Sequence, residues 1–361
     1  MRWILTAVLT AGTGVLFATQ APTPYKLGMF QRGDTEFIGV VIGDRVIDLA
    51  AANTAVAGGG QTAMPTNMKQ LMARYESGVR PRIVEIVRAV VAQTAAPAYV
   101  YQLTAVKTLP PVMYPTVMLN AAVNYRAHGA EMQRAEASPQ LQNPTGPPPG
   151  TAPPGTQTIA GIWERRANDT RWNPYMFLKS PTAIIAEGEA IRLPRGRTRV
   201  DWECELGVVI GTEATYMPVV RAPYAIFGYT MQLDVSDREA RGDGRYGSDW
   251  LIAKNHDTFA PLGPFITPKE FVKDPTNLRV TFTLNGQVMQ DANTSLMIHD
   301  VFELVSYGSS IMTLRPGDVL STGTPDGVGS ARTPPIFLKA GDRTSCTYEG
   351  VGTLTNSVTG P

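Results

Sequence analysis

Residues 201–210 read Asp-Trp-Glu-Cys-Glu-Leu-Gly-Val-Val-Ile, a run that is acidic at one end and apolar at the other. A short apolar run rich in β-branched residues reads as a strand candidate. Side chains at i and i+2 of a strand share a face, so Glu203 and Glu205 project together. Cys204 then points the other way and reads as a buried small hydrophobe. Two carboxylates side by side repel unless a cation or a shared proton separates them. A second apolar run, Phe227–Leu233, ends on Asp234, where a strand-end ligand would sit. Three carboxylates with no histidine or thiolate beside them select a hard cation, Mg²⁺, Mn²⁺ or Ca²⁺, over zinc. A solvated strand face fits the same spacing, and spacing alone leaves both readings open.

The β-rich pattern extends outward from this run. Ile184–Leu193, Ala225–Leu233, Leu278–Leu284, Asp318–Ser321 and Thr344–Glu349 are further strand candidates, and Asn285-Gly286 is a hairpin turn. Ile298–Thr313 supplies one amphipathic helix. Helices between strands are missing, which favours a closed or rolled antiparallel architecture over a doubly wound sheet. Upstream, 25–50 alternates as three short strands joined by tight turns, and 66–92 switches to helical spacing after Thr66 or Asn67. The expected organisation is a small α+β domain over 25–110 and a catalytic domain over 115–358, α+β but mostly β. A Pro-rich insertion interrupts the second at about 135–170: positions 138–157 hold seven Pro and three Gly, too many for a regular element.

Composition narrows the function. The 361 residues carry 32 Lys+Arg against 31 Asp+Glu, with no basic block, so nucleic acid is an unsuitable partner and a small molecule a better one. Two cysteines make no disulfide framework and no zinc motif. The three histidines, His128, His256 and His299, exclude chemistry that needs several imidazoles. Met1-Arg2, the uncharged run Trp3–Phe17 and the small residues Ala18–Ala21 describe a secretory signal peptide over 1–21. The expectation is therefore an exported protein, periplasmic or secreted, with a retained N-terminal anchor as the weaker alternative. No later stretch is apolar enough to span a membrane.

Three more constellations carry chemistry. In Asn124-Tyr-Arg-Ala-His-Gly-Ala-Glu131, a helix makes His128 and Glu131 neighbours at i, i+3, and a carboxylate beside an imidazole raises its basicity. A surface His–Glu pair is the ordinary alternative. Leu320-Ser-Thr-Gly-Thr-Pro-Asp-Gly-Val-Gly329 is a strand running into a Gly-rich turn, whose backbone N–H groups suit a carboxylate or oxyanion. Lys254 is a further anion contact.

Taken in order, these pieces resemble the fumarylacetoacetate hydrolase family. The resemblance runs through Asn-Tyr-x-x-His-x-x-Glu (124–131), Phe177-Leu-Lys-Ser-Pro181, Glu203-x-Glu205, Gly228-Tyr-Thr-Met-Gln-Leu-Asp-Val-Ser236 and Lys254-x-x-Asp257. It continues through Pro261-Leu-Gly-Pro264, Asn285-Gly286, Leu314-x-Pro-Gly-Asp318 and Thr322-Gly-Thr-Pro-x-Gly-Val-Gly329. It implies a mixed β-roll, a homodimer, and Mg²⁺ (Mn²⁺ or Ca²⁺ as alternatives) held by Glu203, Glu205 and Asp234. It further implies a catalytic lid dyad of His128 and Glu131, a catalytic Lys254, and substrate contacts from Tyr125, Arg238 and Thr324. The implied reaction is hydrolytic C–C cleavage of a β-diketo or 2-oxo acid through a metal-stabilised enolate. Tautomerisation or decarboxylation of a 2-oxo dicarboxylic acid is the second reading, and a non-catalytic exported oxo-acid-binding protein the third. Two departures stand out: Ser236-Asp-Arg-Glu-Ala-Arg241 where the family often has Ser-Ala-Arg-Asp-x-Gln, and the Pro-rich insertion directly after the dyad.

Overall fold

A computed structural model describes residues 21–58, 62–136, 169, 171–239 and 249–361. The expected leader but for its last residue, Ala21, and the Pro-rich insertion but for its edges lie outside these residues, as does Arg241. The N-terminal hairpins form as spaced: β1 (Lys26–Arg32), β2 (Thr35–Ile42) and β3 (Arg45–Asp48) pair consecutively. Helices α1 (Leu49–Ala55), α2 (Met68–Arg74, capped by the Asn67 side chain) and α3 (Arg80–Val91) cover one face of this sheet. Gly78, at φ 140°, breaks the chain between α2 and α3.

Further elements include β4 (Met118–Ala122), α4 (Arg126–Glu136), β5 (Tyr175–Leu178), β6 (Cys204–Ile210), β7 (Ile226–Leu233), α5 (Trp250–Lys254) and β8 (Ala260–Pro268). They are followed by β9 (Arg279–Leu284), β10 (Gln287–Asn293), α6 (Val301–Ile311), β11 (Val319–Ser321), β12 (Arg343–Tyr348) and β13 (Gly352–Thr359). Among the described residues, short segments aside, the large sheet runs β3-β2-β1-β8-β7-β6-β11-β4-β5, and a second runs β10-β9-β12-β13. The path of the large sheet is open at both ends, so the chain takes the rolled rather than the closed form of the expected mostly-β architecture. β1 joins the N-terminal strands to β8 through the Leu27–Ile266 pair. Asn285 and Gly286 turn β9 into β10 with φ of 52° and 81°, the left-handed pair that a two-residue hairpin requires. Asp300 and Glu303 close a capping box on α6.

β6 is central, and every residue in it is buried. Leu206, Val208 and Ile210 enter a core shared with Phe282, Leu304, Cys346 and Leu354, while Val209 enters a second core with Leu27, Leu71 and Ile83. A strand packed on both faces cannot shift register without emptying one core. The carboxylates at its N-terminal end are therefore fixed.

Cys204 does point away from Glu203 and Glu205, but it is not an isolated hydrophobe: it forms a disulfide with Cys346 of β12, 142 residues away. Sequence spacing gave no sign of this, because only the folded topology brings the two sheets together. The bond ties the site strand to the second sheet. We expect Cys204→Ala/Cys346→Ala to lower unfolding stability by about 2–5 kcal/mol, since a long loop is released in the unfolded chain. Denaturant unfolding checks this, and stability within about 1 kcal/mol of the parent, the size of an ordinary point-mutant effect, would contradict it.

Candidate active site

Glu203 immediately precedes β6 and Glu205 is its second residue. Past Leu233, Asp234 N donates to Glu203 O at 2.8 Å and extends the β6–β7 pairing by one step. That step brings the third carboxylate to the other two: one oxygen from each of Glu203, Glu205 and Asp234 lies within 4.8 Å of the rest, and all three residues are buried. The solvated-face alternative is thereby removed.

Three cations of the protein surround the cluster. Lys254 Nζ bridges Glu203 Oε2 (2.7 Å) and Asp234 Oδ2 (2.8 Å) and donates to Ser236 Oγ. Arg238 donates from Nη2 to Glu203 Oε1 and from Nε to Asp201 Oδ1, both at 2.6 Å. Lys179 donates to Asp234 Oδ1 and to the Lys254 carbonyl, both at 2.5 Å. Burial disfavours the ionised form of Glu203, yet Lys254, Arg238 and His128 outweigh it and hold its carboxyl well below the ordinary range. Burial likewise opposes the charge on Lys254, but Asp234 and Glu203 prevail and raise its ammonium above its usual value. Glu205 behaves oppositely: burial, then Asp234 and Glu203, push its carboxyl well above the ordinary value.

The donor set fits a hard divalent cation. It offers three buried carboxylates, no sulfur and no imidazole ligand, and an ammonium already bridges two of their oxygens. Because Glu205 keeps a proton to higher pH than a free carboxyl, a cation that binds the carboxylate must expel it. Affinity for Mg²⁺ is expected to rise with pH through the titration of Glu205, and binding at the acid side to release about one proton. Calorimetric titration in buffers of different protonation enthalpy counts that proton; a count of zero throughout contradicts the assignment.

The second pair also forms. α4 places His128 Nδ1 2.8 Å from Glu131 Oε1, and both residues are buried. The Gly-rich turn after β11 does bind carboxylates, but they are the protein's own. Glu131 accepts from Gly327 N (2.8 Å) and Val328 N (3.4 Å), and Glu205 accepts from Gly323 N (3.3 Å). Gly327 has no alternative: at φ 101°, a Cβ there would meet Met289 O at 2.1 Å.

The residues expected to touch substrate are also placed. Tyr125 is buried in reach of Glu205, and burial and that carboxylate raise its phenol. Thr324 Oγ1 accepts from Gln290 Nε2 and donates to Cys204 O. Arg238 faces Asp201 and Glu203. Sequence reasoning assigned no role to Lys179, Asp201, Ser236 or Gln290. Lys179 has a signal, its place in the motif Phe177-Leu-Lys-Ser-Pro181; the others are ordinary polar residues until the fold collects them.

Residues 118–359 match the family model described as the fumarylacetoacetate (FAA) hydrolase C-terminal domain. The chain is 44% identical over 185 residues to oxaloacetate tautomerase FAHD2A, mitochondrial, of Bos taurus, a match covering 51% of this chain. It spans about 59% of the length of that relative. The crystal structure of 5-carboxymethyl-2-hydroxymuconate delta-isomerase from Mycobacterium smegmatis superposes with a TM-score of 0.62 at 30% identity, covering 93% of this chain and 99% of that one. Maleylpyruvate hydrolase from Sphingobium sp. SYK-6, in complex with manganese(II) and pyruvate, superposes with a TM-score of 0.64 at 27% identity, over 93% and 99%. The expectation of export, drawn from a leader over 1–21, is corrected here: the bovine relative is mitochondrial, an intracellular address, and residues 1–20 of that leader lie outside the described residues. No helix among the described residues is long and apolar enough to cross a membrane.

Proposed function

The chain belongs to the fumarylacetoacetate hydrolase family, and from that premise we propose that it is a divalent-cation-dependent enzyme that moves a proton at the carbon beside the carbonyl of a 2-oxo dicarboxylic acid. The reaction is keto–enol interconversion, with oxaloacetate as the first substrate to test. The observation that carries this reading is the buried His128–Glu131 pair, set close enough to the carboxylate cluster for His128 to act electrostatically on Glu203. The names of the bovine tautomerase and the mycobacterial isomerase support the same class.

Glu131 is held by two backbone amides and accepts the Nδ1 proton of His128. That tautomer leaves Nε2 as the base, in a fixed ring orientation. His128 takes the proton from the carbon and returns it to the oxygen or carbon of the enolate. When bound at Glu203, Glu205 and Asp234, the cation supplies Lewis-acid polarisation of the substrate oxygens. Lys254 adds positive charge where the substrate gains negative charge, and burial strengthens that interaction by excluding water.

C–C hydrolysis is the second reading. The same base activates a water equally well, and the Sphingobium neighbour is named a hydrolase. The two readings part on product. With oxaloacetate and Mg²⁺, a tautomerase speeds the decay of the enol ultraviolet band without a change of mass. With acylpyruvates, a hydrolase yields two smaller acids. Splitting of acylpyruvates with no effect on the enol band overturns the first reading in favour of the second.

A further inference from the structure

Each carboxylate of the cluster has one oxygen already committed to a buried donor of the protein. Lys179 Nζ takes Asp234 Oδ1 at 2.5 Å, Arg238 Nη2 takes Glu203 Oε1 at 2.6 Å, and Gly323 N takes Glu205 Oε2 at 3.3 Å. The oxygens left over are Asp234 Oδ2, Glu203 Oε2 and Glu205 Oε1. The first two converge on Lys254 Nζ, at 2.8 and 2.7 Å.

The committed donors are themselves pinned from behind. The side chain of Lys179 is fully buried, and its Nζ also donates to the Lys254 carbonyl. Arg238 Nε donates to Asp201 Oδ1, and Asp201 Oδ2 in turn accepts from Ser330 N at 2.8 Å. Swinging either cation away would leave a buried charge unpaired, which is strongly unfavourable. The back oxygens therefore stay occupied whatever binds in front.

We infer that Lys179 and Arg238 set the coordination mode of the site, and through it the choice of cation, by confining Asp234 and Glu203 to one oxygen each. This rests on the cation reading proposed above. One oxygen from each of three carboxylates suits a small six-coordinate ion such as Mg²⁺ or Mn²⁺, which keeps its other positions for water and substrate. Ca²⁺ draws about six to eight oxygens, commonly through bidentate carboxylates, and such a site starves it. Lys179 and Arg238 do not touch the cation; they are positioning residues, acting through Asp234 and Glu203. Lys179→Met frees Asp234 Oδ1 for bidentate binding at nearly constant volume, whereas Lys179→Arg keeps a donor in place.

The test compares Mn²⁺ and Ca²⁺ affinities by calorimetry in the full-length parent, Lys179→Met and Lys179→Arg, without substrate. The Mn²⁺-over-Ca²⁺ preference is expected to narrow by about tenfold or more in Lys179→Met and to be largely kept in Lys179→Arg. A folded Lys179→Met with an unchanged ratio overturns the inference. A parent that binds neither cation overturns the cation reading itself. Infrared difference spectra of the parent, with and without Mn²⁺, give a readout independent of any variant. Carboxylate bands with the wide splitting of monodentate ligands are expected; bidentate bands overturn the inference even where Lys179→Met fails to fold.

Discussion

Glu203→Ala and Asp234→Ala are expected to lose cation binding and turnover together. Each removes one of the three carboxylates proposed to hold the cation, so Mn²⁺ affinity should fall beyond the range of calorimetry. Lewis-acid polarisation contributes several kcal/mol to transition-state stability, so kcat/KM should drop by about a thousandfold or more. The substitutions also release buried cations: Glu203→Ala leaves Arg238 and Lys254 short of a partner, and Asp234→Ala does the same to Lys179 and Lys254. Uncompensated buried charge destabilises proteins by about 3–5 kcal/mol. Glu203→Gln and Asp234→Asn, which keep the shape, are the controls that separate a lost ligand from a lost fold. Turnover that survives in a folded amide variant at parental Mg²⁺ dependence would rule out the role of that carboxylate.

His128→Asn is expected to lower kcat by about 10²–10⁴-fold, the usual contribution of a positioned general base, while cation affinity stays near the parental value because His128 lies outside the proposed ligand set. Glu131→Gln should cost less. It keeps a hydrogen-bond acceptor for His128 but weakens the charge-assisted hydrogen bonds that orient the imidazole and hold the amides of Gly327 and Val328. Kinetics with matched Mg²⁺ titrations separate these effects. A His128→Asn protein with parental kcat would show that the proton moves through another group.

Much of this is legible in the sequence itself. Period-two spacing placed Glu203 and Glu205 on one face, the strand-end position singled out Asp234, and i, i+3 spacing joined His128 to Glu131. Each is a local rule acting over a few residues. What local rules do not reach is long-range pairing. Lys179 meets Asp234 across 55 residues and Cys204 meets Cys346 across 142, and only the order of strands in the two sheets brings them together. The Gly-rich turn shows the same limit. Its N–H groups were readable as an anion site, but that the anions are Glu131 and Glu205 depends on where α4 and β6 land. The leader-like N-terminus misled for a different reason: an apolar run after a basic residue reports hydrophobicity, and hydrophobicity alone does not specify an address.

The most direct test of the central claim is deuterium exchange at the carbon beside the carbonyl of oxaloacetate, followed by proton NMR in D₂O with Mg²⁺. The parental protein is expected to accelerate exchange well above the buffer rate, and both chelation by EDTA and His128→Asn to return it to that rate. Exchange that continues unchanged in EDTA, or in the folded His128→Asn protein, would contradict a cation-dependent site in which His128 moves the proton.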